Sequence, residues 1–254
     1  MAKRNLTYQK KEFSISYEIL NREERETIIF LHGWGSSKKI MKTIFSKNFK
    51  NYKHIYIDLI GFGESGDAQF PLNSFDYKYI LEDFFQELNI SKEIIVGHSF
   101  GGKIATLLNP QKLVLLSSAG IVIEKSFSVK MKISIYKIFK KIGLSSFRKL
   151  FISDDGKNLS RNMYETFKNV VDENFENIFR DRKDGETAVF WGKDDLATPL
   201  KSGEKIHQLI QNSNFYPLNG DHFFFVGKGG EIEKLLKSDK NSIFSKVENV
   251  GNSK

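Results

Sequence analysis

A short apolar run that breaks into a glycine-flanked turn and passes at once into a helical pattern leaves few folds open. Ile94-Ile95-Val96 leads into Gly97-His98-Ser99-Phe100-Gly101, and Lys103-Ile104-Ala105 then opens a helical run. Three apolar residues in a row, bounded by glycine, read as a strand buried on both faces. Similar runs recur, so the expected strands are Phe13–Leu20, Thr27–Leu31, His54–Asp58, Glu93–Gly97, Lys112–Ser117, Thr187–Trp191 and Asn214–Leu218. Helical patterns fall between them at Asp76–Leu88, Phe100–Leu108 and Ser202–Ile210, with another at Glu231–Leu236. Ser74-Phe75-Asp76 offers a cap before the Tyr77, Ile80, Leu81, Phe84 stripe. Strand–helix alternation predicts an α/β protein with a mostly parallel central sheet flanked by helices.

One region interrupts the alternation. From Ile121 to Gly185 the pattern is helical and amphipathic, without a strand. It predicts an inserted helical cap, 121–185, in a core formed by residues 1–120 and 186–254. The first half of this cap is basic: Lys125, Lys130, Lys132, Lys137, Lys140, Lys141, Arg148 and Lys149 stand against Glu124. Phe127, Val129, Met131, Ile135, Ile138, Phe139 and Ile142 interleave them. The segment from Lys237 to Lys254 is polar and is expected to fray.

The 254 residues suffice for one domain with a large core. Cysteine is absent, which excludes a disulfide, a thiolate nucleophile and a zinc–sulfur site. No apolar run is long enough to span a bilayer. The basic start, Met1 to Leu6, has no apolar signal core behind it, so a cytoplasmic location is expected. The net charge of +8 accompanies no zinc-finger, basic-zipper or RNA-recognition signature, which argues against a nucleic-acid partner. Such a charge also serves plain solubility.

The chemistry gathers in the turns. Ser99 stands between a strand and a helix N-terminus, where free N–H groups favour a developing negative charge. Gly97-His98-Ser99-Phe100-Gly101 thus fits a nucleophile elbow. A second apolar strand ends in His32-Gly33-Trp34-Gly35. Its glycines let the loop fold back, so the backbone N–H of Trp34 becomes one candidate oxyanion donor and that of Phe100 the other. His32 reads as a loop hydrogen-bonding residue. In Asp58-Leu59-Ile60-Gly61-Phe62-Gly63-Glu64-Ser65, Asp58 and Ser65 read as braces of a Gly-rich loop.

Taken in order, HGWG, D-x-x-G-x-G-x-S, GHSFGG, WGKDD and GDH resemble the α/β-hydrolase superfamily, in particular its small cap-bearing esterases and lipases. The resemblance runs from Thr27 to Gly227. It implies an acid on the fifth residue of a W-G-x-x-D-x-x-x-P pattern, here Asp195, and a late base, here His222. Asp194 is the rival acid. Chemical sense agrees with the base: serine is a weak nucleophile until a base takes its proton. His98 neighbours Ser99 on the turn and should point away, His54 begins a strand, and His207 lies on an exposed helical pattern. The helix after Ser99 is shorter than the family's, ending before Pro110, which predicts less packing support for the nucleophile.

The resemblance implies a serine hydrolase acting on a carboxylic ester through an acyl-enzyme, without metal or cofactor. The apolar cap residues suggest a hydrophobic acyl group. A thioesterase, or an esterase acting on carrier-bound acyl chains, is the main alternative. A non-catalytic binding member of the fold is the other. Haloalkane and epoxide chemistry needs a carboxylate at the elbow, which Ser99 excludes. The basic cap half would suit an anionic membrane surface or an acidic acyl carrier protein. It would equally be a solvated face.

Overall fold

The computed structural model describes residues 1–122 and 160–238. Its strands are β1 (Ala2–Tyr8), β2 (Lys11–Leu20), β3 (Thr27–Leu31), β4 (Lys53–Ile57), β5 (Ile94–His98), β6 (Lys112–Leu116), β7 (Glu186–Gly192) and β8 (Ser213–Leu218). The helices are α1 (Lys38–Phe45), α2 (Ser74–Glu87), α3 (Phe100–Leu108), α4 (Arg161–Val171), α5 (Glu176–Asp181), α6 (Leu200–Leu209) and α7 (Gly229–Ser238). All strands form one sheet in the order β1-β2-β4-β3-β5-β6-β7-β8. β1 and β2 form an antiparallel hairpin, and β2 joins β4 antiparallel. From β4 to β8 every pairing is parallel. The expected α/β architecture is therefore present.

The inner parallel strands β3, β5 and β6 read as apolar runs because both faces are covered. Along β3, Ile29 and Leu31 enter the core on one face, while Ile28 and Phe30 enter the core on the other. β6 splits in the same way, with Leu113 and Leu115 opposed to Val114 and Leu116. α2, α3, α4 and α6 cover the first face, and α1 and α7 cover the second.

Three elements differ from the sequence reading. β1 was not expected: only Leu6 of its residues is buried, so the apolar alternation is too thin to see. Lys3 and Arg4 sit on this edge strand, where charge discourages further strand pairing. α1 was not expected either, because Gly35-Ser36-Ser37 reads as loop and the helix is short; it buries Ile40, Met41 and Phe45. The cap of α2 is Asn73, not Ser74. Asn73 accepts from the N–H groups of Phe75 and Asp76, and Asp76 returns a bond to the Asn73 N–H.

Of the expected cap 121–185, residues 160–185 carry α4 and α5. Lys125 to Lys149, the basic half, lies outside the described residues, as does 239–254. α4 is fastened to the core. Thr166 Oγ1 accepts from Leu72 N–H at 2.9 Å, Asn169 donates to Leu72 O at 3.1 Å, and Met163 and Val170 are buried. Lys103 of α3, 1% exposed, sends its ammonium to Val170 O and to Glu173 Oε2, each at 2.6 Å, and over the Phe175 ring. Glu173 also accepts from the N–H and hydroxyl of Ser74. One ion pair, between a buried lysine and a half-buried glutamate, thus joins α2, α3 and the α4–α5 link. Burial lowers the Lys103 pKa, and the Glu173 charge offsets part of that. Among the described residues no helix is long and apolar enough to cross a membrane.

Candidate active site

The loops that follow β3, β4, β5, β6, β7 and β8 leave the sheet at the C-terminal ends of its parallel strands, the edge where open α/β sheets bind ligands. Ser99 lies directly after β5 with φ 51° and ψ −113°. A non-glycine residue there costs about 1–3 kcal/mol, so its surroundings must hold it. They do: Ser99 N–H donates to Leu116 O at 3.1 Å, and Ser99 O accepts from Gly102 and Ala119 N–H, both at 3.0 Å. A Cβ on Gly97 would meet Gly101 O at 2.5 Å, and one on Gly101 would meet His32 O at 2.5 Å, so only glycine permits this turn. Ser99 is half-buried, whereas His98 and Phe100 on either side are buried. α3 spans the nine residues Phe100–Leu108. Every residue of it except Leu107 is buried, and Asn109 closes it in the left-handed region.

Asp195 and His222 come together from the loops after β7 and β8. His222 Nδ1 is 2.8 Å from Asp195 Oδ2. Asp195 is 3% exposed, and its carboxylate is fully occupied. Oδ1 accepts from Ala197 and Thr198 N–H at 2.8 and 2.9 Å, and Oδ2 also accepts from Thr198 Oγ1 at 2.8 Å. Burial alone would raise this carboxyl. The His222 charge, followed by hydrogen bonds from His222, the Thr198 backbone and Ser117, outweighs burial and holds it below the ordinary value. Asp194 is exposed, and its N–H donates to Gly220 O at 2.9 Å. Of the two acids, only Asp195 touches His222. Asp221 is exposed and accepts from Phe223 N–H, as a turn former does.

The other histidines are engaged elsewhere. His32 Nδ1 lies 2.8 Å from Gly33 O, and its Nε2 accepts from Leu59 N–H at 3.0 Å, tying the loops after β3 and β4. Burial lowers its pKa. His54 contacts the Tyr56 hydroxyl and Phe49 O, and His207 contacts the Ser213 hydroxyl. His98 is buried, with its ring against His222, Phe223 and Phe225. Its Nε2 donates to His222 O at 3.1 Å, and the two rings lie 4.8 Å apart. Burial and the His222 charge hold it well below its ordinary pKa. With Nε2 donating, the unpartnered Nδ1 is bare.

Trp34 follows Gly33, and a Cβ on Gly33 would stand 3.2 Å from Ser99 Cβ, so the two loops touch. Neither Trp34 nor Phe100 donates its backbone N–H to an acceptor among the described residues. The Trp34 ring packs against Phe62, Phe100 and Phe167 at 4.8, 5.5 and 5.2 Å. Behind this wall Asp58 braces its loop as read. It accepts from Lys38 N–H and Nζ and from Glu64 N–H, while the Ser65 hydroxyl donates to Asp58 O. Sequence reasoning missed Thr198 and Ser117 beside the acid. The only signal for Thr198 was its place before Pro199 in the WGKDDLATP stretch. Among the described residues no group of three or more His, Cys, Asp or Glu side chains is arranged to hold a metal.

A family model described as alpha/beta hydrolase fold matches residues 26–118. A solved hydrolase from Pseudomonas aeruginosa superposes with a TM-score of 0.77 at 15% identity, covering 93% of this chain and 97% of its own. The chain has the α/β-hydrolase fold. A thermophilic esterase from Thermogutta terrifontis shares it with a TM-score of 0.73 at 13% identity, over 93% of this chain and 97% of that one. In sequence, a Mycoplasma genitalium protein named as a putative esterase/lipase is 26% identical over 250 residues, 95% of this chain and 87% of its own. These likenesses support a hydrolase of this fold.

Proposed function

We propose that the protein is a serine hydrolase that cleaves carboxylic esters of hydrophobic acyl groups through an acyl-enzyme. The contact between His222 Nδ1 and the buried Asp195, at the sheet edge that carries the Ser99 elbow, is the observation that bears most weight. An ionised acid at Nδ1 keeps the ring proton there and leaves Nε2 bare to accept the Ser99 proton. Ser99 Oγ then attacks the ester carbonyl, and the oxyanion meets the N–H groups of Trp34 and Phe100. The tetrahedral adduct collapses, and His222 passes its proton to the departing alcohol. Water, deprotonated by His222, releases the acid and restores Ser99. The aromatic wall of Trp34, Phe62 and Phe167 supports an apolar acyl group.

A panel of chromogenic esters differing in acyl length, run beside a fluorophosphonate label, tests the reading. Wild-type protein should hydrolyse esters and take the label. Ser99→Ala should lose both, with a rate lower by about 10⁴-fold or more and an unchanged circular dichroism spectrum. A folded Ser99→Ala protein that keeps its activity refutes the assignment, and a wild type that neither labels nor turns over favours a ligand-binding role.

A further inference from the structure

The Thr198 hydroxyl stands inside the acid–base pair. Its Oγ1 is 2.8 Å from Asp195 Oδ2, 3.2 Å from His222 Nδ1 and 3.2 Å from Ser117 O. The residue carrying it is fixed on every side. Its N–H donates to Asp195 Oδ1 at 2.9 Å, and its carbonyl accepts from Trp191 Nε1 at 2.7 Å. The following Pro199 restricts its backbone to the extended region. We infer that Thr198 is a positioning residue for the proposed reaction, setting the tautomer of His222 through Asp195.

A hydroxyl has one proton to give. The shortest acceptor is Oδ2, which is charged, so the proton goes there rather than to Ser117 O. Committed to Oδ2, that proton is not offered to His222 Nδ1. The imidazole must therefore keep its own proton on Nδ1, facing Oδ2 and, more weakly, the Thr198 lone pairs. The other tautomer would set a bare Nδ1 against two oxygens that have no proton for it. Thr198 thus favours the one form of His222 whose Nε2 is an acceptor. Two backbone N–H groups already secure Oδ1, so Thr198 completes the restraint on the carboxylate from its other oxygen.

This inference rests on the proposed serine chemistry for its kinetic consequence but not for its spectroscopic one. The test compares Thr198→Val, which keeps the shape and removes the hydroxyl, with Thr198→Ser, which keeps the hydroxyl, in the full chain. In wild type and Thr198→Ser the Nδ1 proton of His222, assigned by its absence from His222→Gln, should resonate far downfield. In Thr198→Val it should move upfield or broaden away. With the best ester of the panel, Thr198→Val should lose about 10- to 100-fold in kcat, the scale of one hydrogen bond to a charged group, with KM held within about twofold. Thr198→Ser should stay close to wild type. A Thr198→Val protein with wild-type kcat, or with an unmoved Nδ1 resonance, overturns the inference, as does a Thr198→Ser protein as impaired as Thr198→Val. Should the wild type cleave no ester and take no fluorophosphonate, the proposed function fails by itself, and the resonance still decides the role of Thr198.

Discussion

Replacing Asp195 by Asn should disable the acid–base pair without dismantling it, and the geometry dictates how. The amide oxygen must take the Oδ1 place, because the N–H groups of Ala197 and Thr198 both point there. The amide nitrogen then takes the Oδ2 place, 2.8 Å from His222 Nδ1. It is a donor, so it pairs with a bare Nδ1 and drives the ring proton to Nε2. In that form His222 has nothing with which to accept the Ser99 proton. For Ser-His-Asp enzymes a wrong tautomer of this kind costs about 10⁴-fold in kcat, or about 5.4 kcal/mol at 1.36 kcal/mol per decade. Asp194→Asn should stay within about twofold, since its side chain is exposed and its N–H bond to Gly220 persists. Values of kcat on one short chromogenic ester decide the matter. An Asp195→Asn protein within tenfold of wild type, or an Asp194→Asn protein more damaged than it, refutes the reasoning. The same variant carries a sign for stability. The folded Asp195 carboxyl is held below its ordinary value, so its contribution is fully present above the unfolded pKa, about 3.9, and is lost as pH falls through the folded value. The titratable advantage of wild type over Asp195→Asn in urea should therefore be constant near neutrality and shrink below about pH 4.

Two further substitutions test the supports of the site. His98→Phe keeps a ring among Phe223 and Phe225 but removes the donor to His222 O, so it should destabilise by about 1–3 kcal/mol in urea and lower kcat, while a mere core filler would leave kcat unchanged. Lys103→Met leaves Glu173 without its cation and should cost about 3 kcal/mol, and Lys103→Met with Glu173→Gln should cost less than the two single changes summed, because the partners are coupled; simple additivity in urea denaturation would dismiss the coupling.

What could be read in the chain beforehand was whatever depends on local pattern. β3, β5 and β6 are covered on both faces, so their apolar runs are unbroken and conspicuous. The elbow declares itself through glycines that no other residue could replace, whereas Asp195 was reached only through the resemblance to the α/β hydrolases and their W-G-x-x-D pattern. β1 escaped because a half-exposed edge strand carries little apolar signal, and α1 because its eight residues follow a serine loop. Thr198 and His98 escaped for a different reason: their meaning lies in distances between separate loops.

The path of His222 shows what such distances require. β8 stands three strands from β5 in the sheet order, a separation of about 14 Å at about 4.8 Å per strand. A base at the end of β8 cannot meet a nucleophile at the end of β5 unless its loop doubles back over β7 and β6. It does so across the end of β7: Gly220 O accepts from Asp194 N–H, and a Cβ on Gly192 would meet Gly220 O at 2.6 Å. Gly192 is therefore the crossing point, and the Trp-Gly pair that precedes the proposed acid also clears the way for the loop of the proposed base. At the far end His98 receives the loop, its Nε2 on the His222 carbonyl and its ring against the His222 ring. His98 and Ser99 are consecutive, so one strained turn carries the proposed nucleophile and, through His98, also holds the loop of the proposed base. A change in the elbow that rotated Ser99 would also move the ring that carries His222. The turn itself is held by hydrogen bonds between Ser99 and Leu116, Gly102 and Ala119.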